Sequence, residues 1–200
     1  MKKICLVAGM SKQVPHFDNC DYIGIDGGAR ICLQQGINMI VAIGDFDSID
    51  SDVLSTIKQS TKVITLPIHK NETDSEAAIL YAQSLGYDEI ILFGGLAGRI
   101  DHEFANLYLM IFRYPDLILM NEQNRIRVLN KGTYTFKKEY KYLSFLALQP
   151  TMISESGVAY PLDHAMIDGK DIYTVSNEIM EEAQIILHQG KVLMIEANDK

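Results

Sequence analysis

From residue 4 to residue 120 the chain alternates short, continuous apolar runs with stretches of helical period. That alternation restricts the fold more than any single residue does. The apolar runs are 4–8, 22–25, 39–43, 62–66 (closed by Pro67), 89–93 and 117–120. Runs that are apolar on both sides are what strands show when a sheet is covered on both faces. Between them lie helical stretches at about 29–35, stopped by Gly36, at 50–59, and at 74–85, stopped by Gly86. A further helix starts near Asp101 and ends before Pro115. In it, Phe104, Leu107, Tyr108 and Ile111 follow the i, i+3, i+4, i+7 spacing of a buried stripe. Strands alternating with helices predict βαβ units, hence an α/β, Rossmann-like, mostly parallel sheet with helices on both faces.

The pattern changes after Asn121. Residues 121–124 are polar and turn-forming, and short alternating segments follow at 125–129, 133–136, 142–148, 152–160, 184–188 and 191–196. Lys131-Gly132 reads as a hairpin turn, and His188-Gln189-Gly190-Lys191 as another tight turn. This predicts a smaller antiparallel β-sandwich domain, so the expected division is 1–121 and 122–200. A length of 200 residues accommodates one large domain or two small ones, and 48% hydrophobic residues exclude disorder through want of a core.

The formal net charge of −8 argues against nucleic acid and anionic membranes as partners. It leaves room for an anionic nucleotide, because a bound metal inverts the local field. The 3 cysteines, Cys5, Cys20 and Cys32, are an odd number without a Cys-x-x-Cys, which speaks against a disulfide framework and a zinc site. The apolar stretch at the start is too short for a signal peptide, and Lys12 and Asp18 follow soon after. With no stretch near the length of about 20 apolar residues that spans a bilayer, a soluble cytoplasmic protein is expected.

Polar clusters follow several of the predicted strands, at the sheet edge where open α/β sheets bind ligands. Asp26-Gly27-Gly28-Ala29 offers glycines for close backbone approach and a helix start whose N–H groups suit an anion. Gly44-Asp45-Phe46-Asp47-Ser48 carries carboxylates two residues apart, which point to one side if the segment is extended. Such a pair is poor for stability and good for a hard cation such as Mg²⁺. An ordinary capped turn is the competing reading. Lys70-Asn71-Glu72-Thr73-Asp74-Ser75-Glu76 contains a Thr73/Glu76 capping box, which leaves Asp74 unexplained as a possible third carboxylate and Lys70 placed to meet a phosphate. In Gly94-Gly95-Leu96-Ala97-Gly98-Arg99-Ile100-Asp101-His102, Arg99 offers a planar fork for phosphate oxygens, Asp101 is the expected helix N-cap, and His102 is a ligand contact or a structural residue. No P-loop, no Gly-x-Gly-x-x-Gly after the first strand and no hydrolase triad stands out.

Taken together and in this order, the motifs Asp-Gly-Gly-Ala, Gly-Asp-Phe-Asp-Ser, Lys-Asn-x-Thr-Asp and Gly-Arg-x-Asp-His resemble those of the thiamine pyrophosphokinase family. Ser176-Asn177, ahead of the last strands, extends the resemblance over essentially the whole chain. The resemblance implies transfer of a pyrophosphoryl group from ATP to thiamine, giving thiamine diphosphate and AMP. It implies a homodimer whose active site lies between the α/β domain of one subunit and the β domain of the other. It assigns Asp45, Asp47 and Asp74 to Mg²⁺, with Asp26 beside them as a fourth catalytic carboxylate. Gly27, Gly28, Lys70, Arg99, Asp101 and His102 fall to ATP and its phosphates, and Ser176 and Asn177 to thiamine. Asn71 stands where the family often has Asp, and the chain has no Trp to set against thiamine, leaving that place to Tyr173 or another ring. The competing functions are a pyrophosphokinase for another heterocyclic alcohol such as a hydroxymethylpterin, a Mg²⁺-dependent phosphohydrolase with Asp45 as nucleophile, and a non-catalytic sensor of nucleotide or thiamine.

Overall fold

The computed structural model describes residues 2–67 and 71–199. The chain divides into two compact units, Met1–Glu122 and Gln123–Lys200.

In the first unit, strands β1 (Lys3–Val7), β2 (Cys20–Ile25), β3 (Val41–Gly44), β4 (Lys62–Thr65), β5 (Glu89–Phe93) and β6 (Ile118–Met120) pair in parallel. Their order is β4-β3-β2-β1-β5-β6. The connecting helices are α1 (Gly27–Gln34), α2 (Ser51–Ser60), α3 (Asp74–Ser84) and α4 (Ile100–Tyr108). Alternation along β1 explains the layers. Cys5 and Val7 pack with Ile31 and Cys32 of α1, while the fully buried Ile4 and Leu6 must face the opposite layer. Helix α3, with Ala78, Ile79 and Ala82 buried, packs on β1, β2, β3 and β5.

Helix α4 departs from expectation. It is continued by a π-helical turn, Leu109–Arg113, and its buried residues are Asn106, Leu109 and Met110. Phe104 is 56% exposed and Tyr108 61% exposed, so the predicted stripe is not the buried face. Apolar residues occupy several sides of this helix, and periodicity alone did not select the side that meets the sheet.

The second unit is antiparallel. It contains β7 (Asn124–Lys137), β8 (Tyr142–Ala147), β9 (Thr151–Val158), β10 (Leu162–Ile167) and β11 (Asn177–Ala197). Strand β11 pairs with β7, β8 and β9 along different parts of its length, and β10 pairs with β9. Tyr142 and Leu143 of β8 meet both ends of β11, so the strands wrap around one core built on Phe145, Leu143, Ile153, Ile185, Val192 and Met194.

Both turns expected here are absent. Lys131-Gly132 lies inside β7 and residues 188–191 lie inside β11, each one continuous strand. The register instead shifts between Leu187↔Gly132 and Lys191↔Asn130. Gly190, at φ 94°, supplies the positive φ that such a bulge uses, and a Cβ there would stand 2.2 Å from Thr151 Oγ1. The glycine that looked like a hairpin is a bend in a paired strand.

Candidate active site

The chain passes outward from β1 to β4 and then returns to place β5 on the other side of β1. The carboxyl ends of β1 and β5 therefore border a crevice of the kind that open parallel sheets use for ligands. A cleft of about 180 Å³ opens there, with Asp26, Asp74, Gly94, Gly95 and His102 in its wall and Asn106 beneath. A cleft of about 240 Å³ lies against Ile90 and Leu117 at the opposite edge, away from these carboxylates.

Asp26 bridges β2 and α1 at φ 45°. Its N–H donates to Ile43 O at 3.0 Å, and its carbonyl accepts from Ala29 N at 2.9 Å. Its Oδ1 accepts from Phe46 N at 3.3 Å, which ties the Asp26 turn to the Gly44–Ser48 turn. Burial first, and then the charges of Asp74 and Asp45, push its carboxyl up to about 6, and a hydrogen bond to Asp74 acts in the same direction. Asp26 and Asp74, far apart in sequence, thus share one site. Gly28 has a steric role within the fold. A Cβ on it would lie 1.8 Å from Val7 O, so its missing side chain lets α1 start directly against β1. Gly27 opens that helix, half-buried.

Asp45 and Asp47 do not sit on an extended segment. Phe46 adopts φ 57° and is buried with Ala42, Ile49 and Ile57. Asp47 N donates to Asp45 Oδ1 at 3.2 Å. The two carboxylates flank a tight turn pinned by an aromatic side chain, with Asp45 half-buried and Asp47 exposed.

Thr73 caps α3, its Oγ1 accepting from Glu76 N at 3.1 Å. The reciprocal half of the capping box is not made: the Glu76 carboxylate turns to Arg113 and Tyr114. Asp74, the first residue of the helix, is half-buried at the cleft. Lys70 lies outside the described residues.

Arg99, rather than Asp101, occupies the N-cap position of α4. Asp101 is drawn off by Arg99, whose Nε and Nη2 donate to it at 3.1 and 2.6 Å, and it accepts from His102 N at 3.1 Å. The Arg99 hydrogen bond holds the Asp101 carboxyl below its ordinary range. Arg99, Asp101 and His102 are all exposed. Sequence reasoning missed two neighbours. Ser11 Oγ donates to Ala8 O at 2.9 Å and reaches Phe93 O at 3.3 Å, joining the ends of β1 and β5. Asn106 Nδ2 donates to Gly95 O at 2.9 Å and fixes the glycine loop. The only signal for Asn106 was a polar residue inside an apolar helix.

In the second unit, Ser176 is exposed at φ 57° and its N–H donates to Ser144 Oγ at 2.8 Å. The Asn177 amide is buried and internally occupied. Its Oδ1 accepts from Tyr160 N at 2.9 Å, and its Nδ2 donates to Tyr160 O at 2.8 Å and Glu155 Oε2 at 2.9 Å. Asn177 therefore shapes the turn, and Ser176 and the exposed Tyr160, Ile172 and Tyr173 form its outer surface. Glu155 is 2% exposed, and its Oε1 has no partner among the described residues. Burial pushes its carboxyl up to about 7 against the opposing Asn177 hydrogen bond.

Among the described residues, no three His, Cys, Asp or Glu side chains already stand close enough to hold a metal ion. The chemistry of the donors is nevertheless that of a hard divalent cation site: Asp26 is set against the charges of Asp74 and Asp45, a repulsion that a cation would relieve.

An open, parallel α/β enzyme unit with a ligand crevice at its carboxyl edge, followed by an antiparallel β unit, is the class that this fold and edge define. The chain belongs to the thiamine pyrophosphokinase family and is a transferase. Residues 16–120 match the family model "Thiamin pyrophosphokinase, catalytic domain", and residues 129–192 match "Thiamin pyrophosphokinase, vitamin B1 binding domain". The chain is 28% identical to the thiamine pyrophosphokinase of Bacillus subtilis over 214 aligned residues, covering 100% of both chains. It is 38% identical to thiamine pyrophosphokinase 1 of Arabidopsis thaliana over 97 residues, which are 44% of this chain and 36% of that one. The solved structure of a thiamin pyrophosphokinase family protein from Enterococcus faecalis superposes with a TM-score of 0.86 at 27% identity, covering 99% of this chain and 100% of that one. The Bacillus subtilis enzyme gives 0.87 at 25% identity with the same coverage.

Proposed function

We propose that this protein transfers the pyrophosphoryl group of ATP to the hydroxyl of thiamine, giving thiamine diphosphate and AMP, with Mg²⁺, in the cytoplasm, as a homodimer. The observation that carries the reading is the joint match to the catalytic and vitamin B1 binding domains, in order, on one chain. The meeting of Asp26 and Asp74 at the crevice beside β1 and β5 supports it.

In this reading Asp45, Asp47 and Asp74 would hold Mg²⁺, which when bound would supply charge neutralisation for the phosphate oxygens. The thiamine hydroxyl oxygen attacks the β-phosphorus, the bond from that phosphorus to the α–β bridging oxygen breaks so that AMP leaves with that oxygen, and the hydroxyl proton passes to solvent water. Asp26, with its raised carboxyl, accepts a hydrogen bond from that hydroxyl and orients it. The N-terminus of α1 at Gly27 and Gly28, with Lys70 and His102, serves the phosphates. Arg99 joins them by exchanging Asp101 for a phosphate oxygen, since both side chains are exposed and can reorganise. Ser176 meets thiamine from the second copy, with Asn177 holding its turn in shape. Positioning and charge neutralisation supply the catalysis.

ATP labelled separately at each phosphorus tests the chemistry. Label from both the β and γ positions should enter the thiamine product, and α label should remain in AMP. Transfer of γ label alone would make the protein a simple kinase and overturn the reading. Mixing an Asp45→Asn chain with a Ser176→Ala chain tests the shared site: activity above that of either parent is expected, and none would contradict a site composed from two copies.

A further inference from the structure

We infer that Glu76 is a positioning residue for the phosphate side of the site, acting through a clamp with Arg113 and Tyr114 that sets the first turn of α3. This rests on the reading of Asp74 as a ligand of the catalytic cation. The Glu76 side chain is 5% exposed, and its Oε1 lies 2.5 Å from Arg113 Nη1. The same oxygen accepts from Tyr114 Oη at 3.0 Å. Arg113 in turn lies over the Tyr114 ring, 5.8 Å from its centroid.

The turn is therefore held twice by one residue. The Glu76 backbone N–H is bound to the Thr73 cap, and its carboxylate is bound to the end of the α4 segment. Between these fixings lie Asp74 and Ser75, both in the cleft wall. A capping box would have returned the carboxylate to the Thr73 backbone and left the turn anchored only to itself. Here the anchor is a separate element.

The π-helical turn accounts for how Arg113 and Tyr114 reach it. Tyr114 N donates to Leu109 O at 2.7 Å, the i to i+5 bond of a π turn. Arg113, the last residue of that turn, and Tyr114, its C-cap, stand beside the first turn of α3 and reach Glu76. An ion pair with one partner open to solvent is a weak source of stability. Its better use is to fix geometry, and the geometry fixed here is that of the turn bearing Asp74.

The test uses the full chain and Mn²⁺ as the probe, with free ion read by electron paramagnetic resonance, with and without α,β-methylene ATP. Glu76→Met and Arg113→Met are each expected to weaken Mn²⁺ binding about tenfold, as loss of an outer-shell partner does. The KM for ATP should rise with little change in the KM for thiamine. Glu76→Gln, which still accepts from Arg113 and Tyr114, should recover most of the affinity. Arg113 is the safer site, being 59% exposed. Unchanged Mn²⁺ affinity in the folded Arg113→Met variant, while Asp74→Asn loses binding, would overturn the clamp alone. Unchanged affinity in Asp74→Asn would remove the reading beneath it, and the inference with it. Binding lost only in proportion to folded protein, by circular dichroism, would reduce Glu76 to a structural anchor.

Discussion

Glu155 allows a stability prediction with a definite sign. Its carboxyl is raised from an ordinary value of 4.5 to about 7, first by burial. A raised acid binds more protons in the folded state than in the unfolded chain, so folding is helped at low pH. The benefit is complete below 4.5 and is lost as pH rises through about 7. A shift of that size corresponds to about 3 kcal/mol between the two limits. Replacing Glu155 by Gln keeps an acceptor for Asn177 and removes the titration. Urea unfolding of wild type and Glu155→Gln, followed by circular dichroism at steps from pH 4.5 to 8, isolates the effect, because other groups cancel in the difference. Relative to the variant, the wild type should lose about 3 kcal/mol across that range. A difference that stays flat with pH would refute the placement of this carboxylate in a desolvated site.

Three other changes probe the account. Asp45→Asn or Asp47→Asn should lower turnover by about 100-fold or more while leaving the thermal unfolding curve in place, because neither side chain supports the core; normal turnover in both would remove the metal site. Ser176→Ala should raise the KM for thiamine more than that for ATP, and steady-state kinetics with each substrate varied would show equal effects if the serine is not on the acceptor side. Glu196→Ala leaves Arg125 and Arg127 without the buried carboxylate that both of them contact, and should cost about 3–5 kcal/mol in urea unfolding; a loss under about 1 kcal/mol would mean that these partly exposed arginines are satisfied by water.

The parallel half of the fold was legible because burial on both faces writes itself into the sequence as uninterrupted apolar runs. The run at 89–93 coincides with β5, and the others differ from the observed strands by a residue or two at their ends. The antiparallel half was legible in kind and not in connection. Gly132 and Gly190 carry the same local signal whether the chain reverses or merely bulges, and only pairing across β7 and β11 tells the two apart. The segment at 177–183 and strand β10 were missed because their apolar residues are sparse and do not alternate regularly. At the site, Asp26 and Asp74 were legible as residues from local pattern, and as neighbours only through the family resemblance. Their proximity depends on β2 lying beside β1 and on α3 starting at the same edge. Asn106, Ser11 and Glu76 act on carbonyl groups or on an arginine remote in sequence, which no spacing rule reveals.

The central claim is tested most directly by incubating the purified chain with ATP, Mg²⁺ and thiamine and resolving AMP, ADP and phosphate. The account predicts AMP formed only when thiamine is present, in equal amount with thiamine diphosphate. AMP formed with a pterin alcohol and not with thiamine would keep the mechanism and contradict the acceptor. Phosphate released whatever the acceptor would contradict pyrophosphoryl transfer itself.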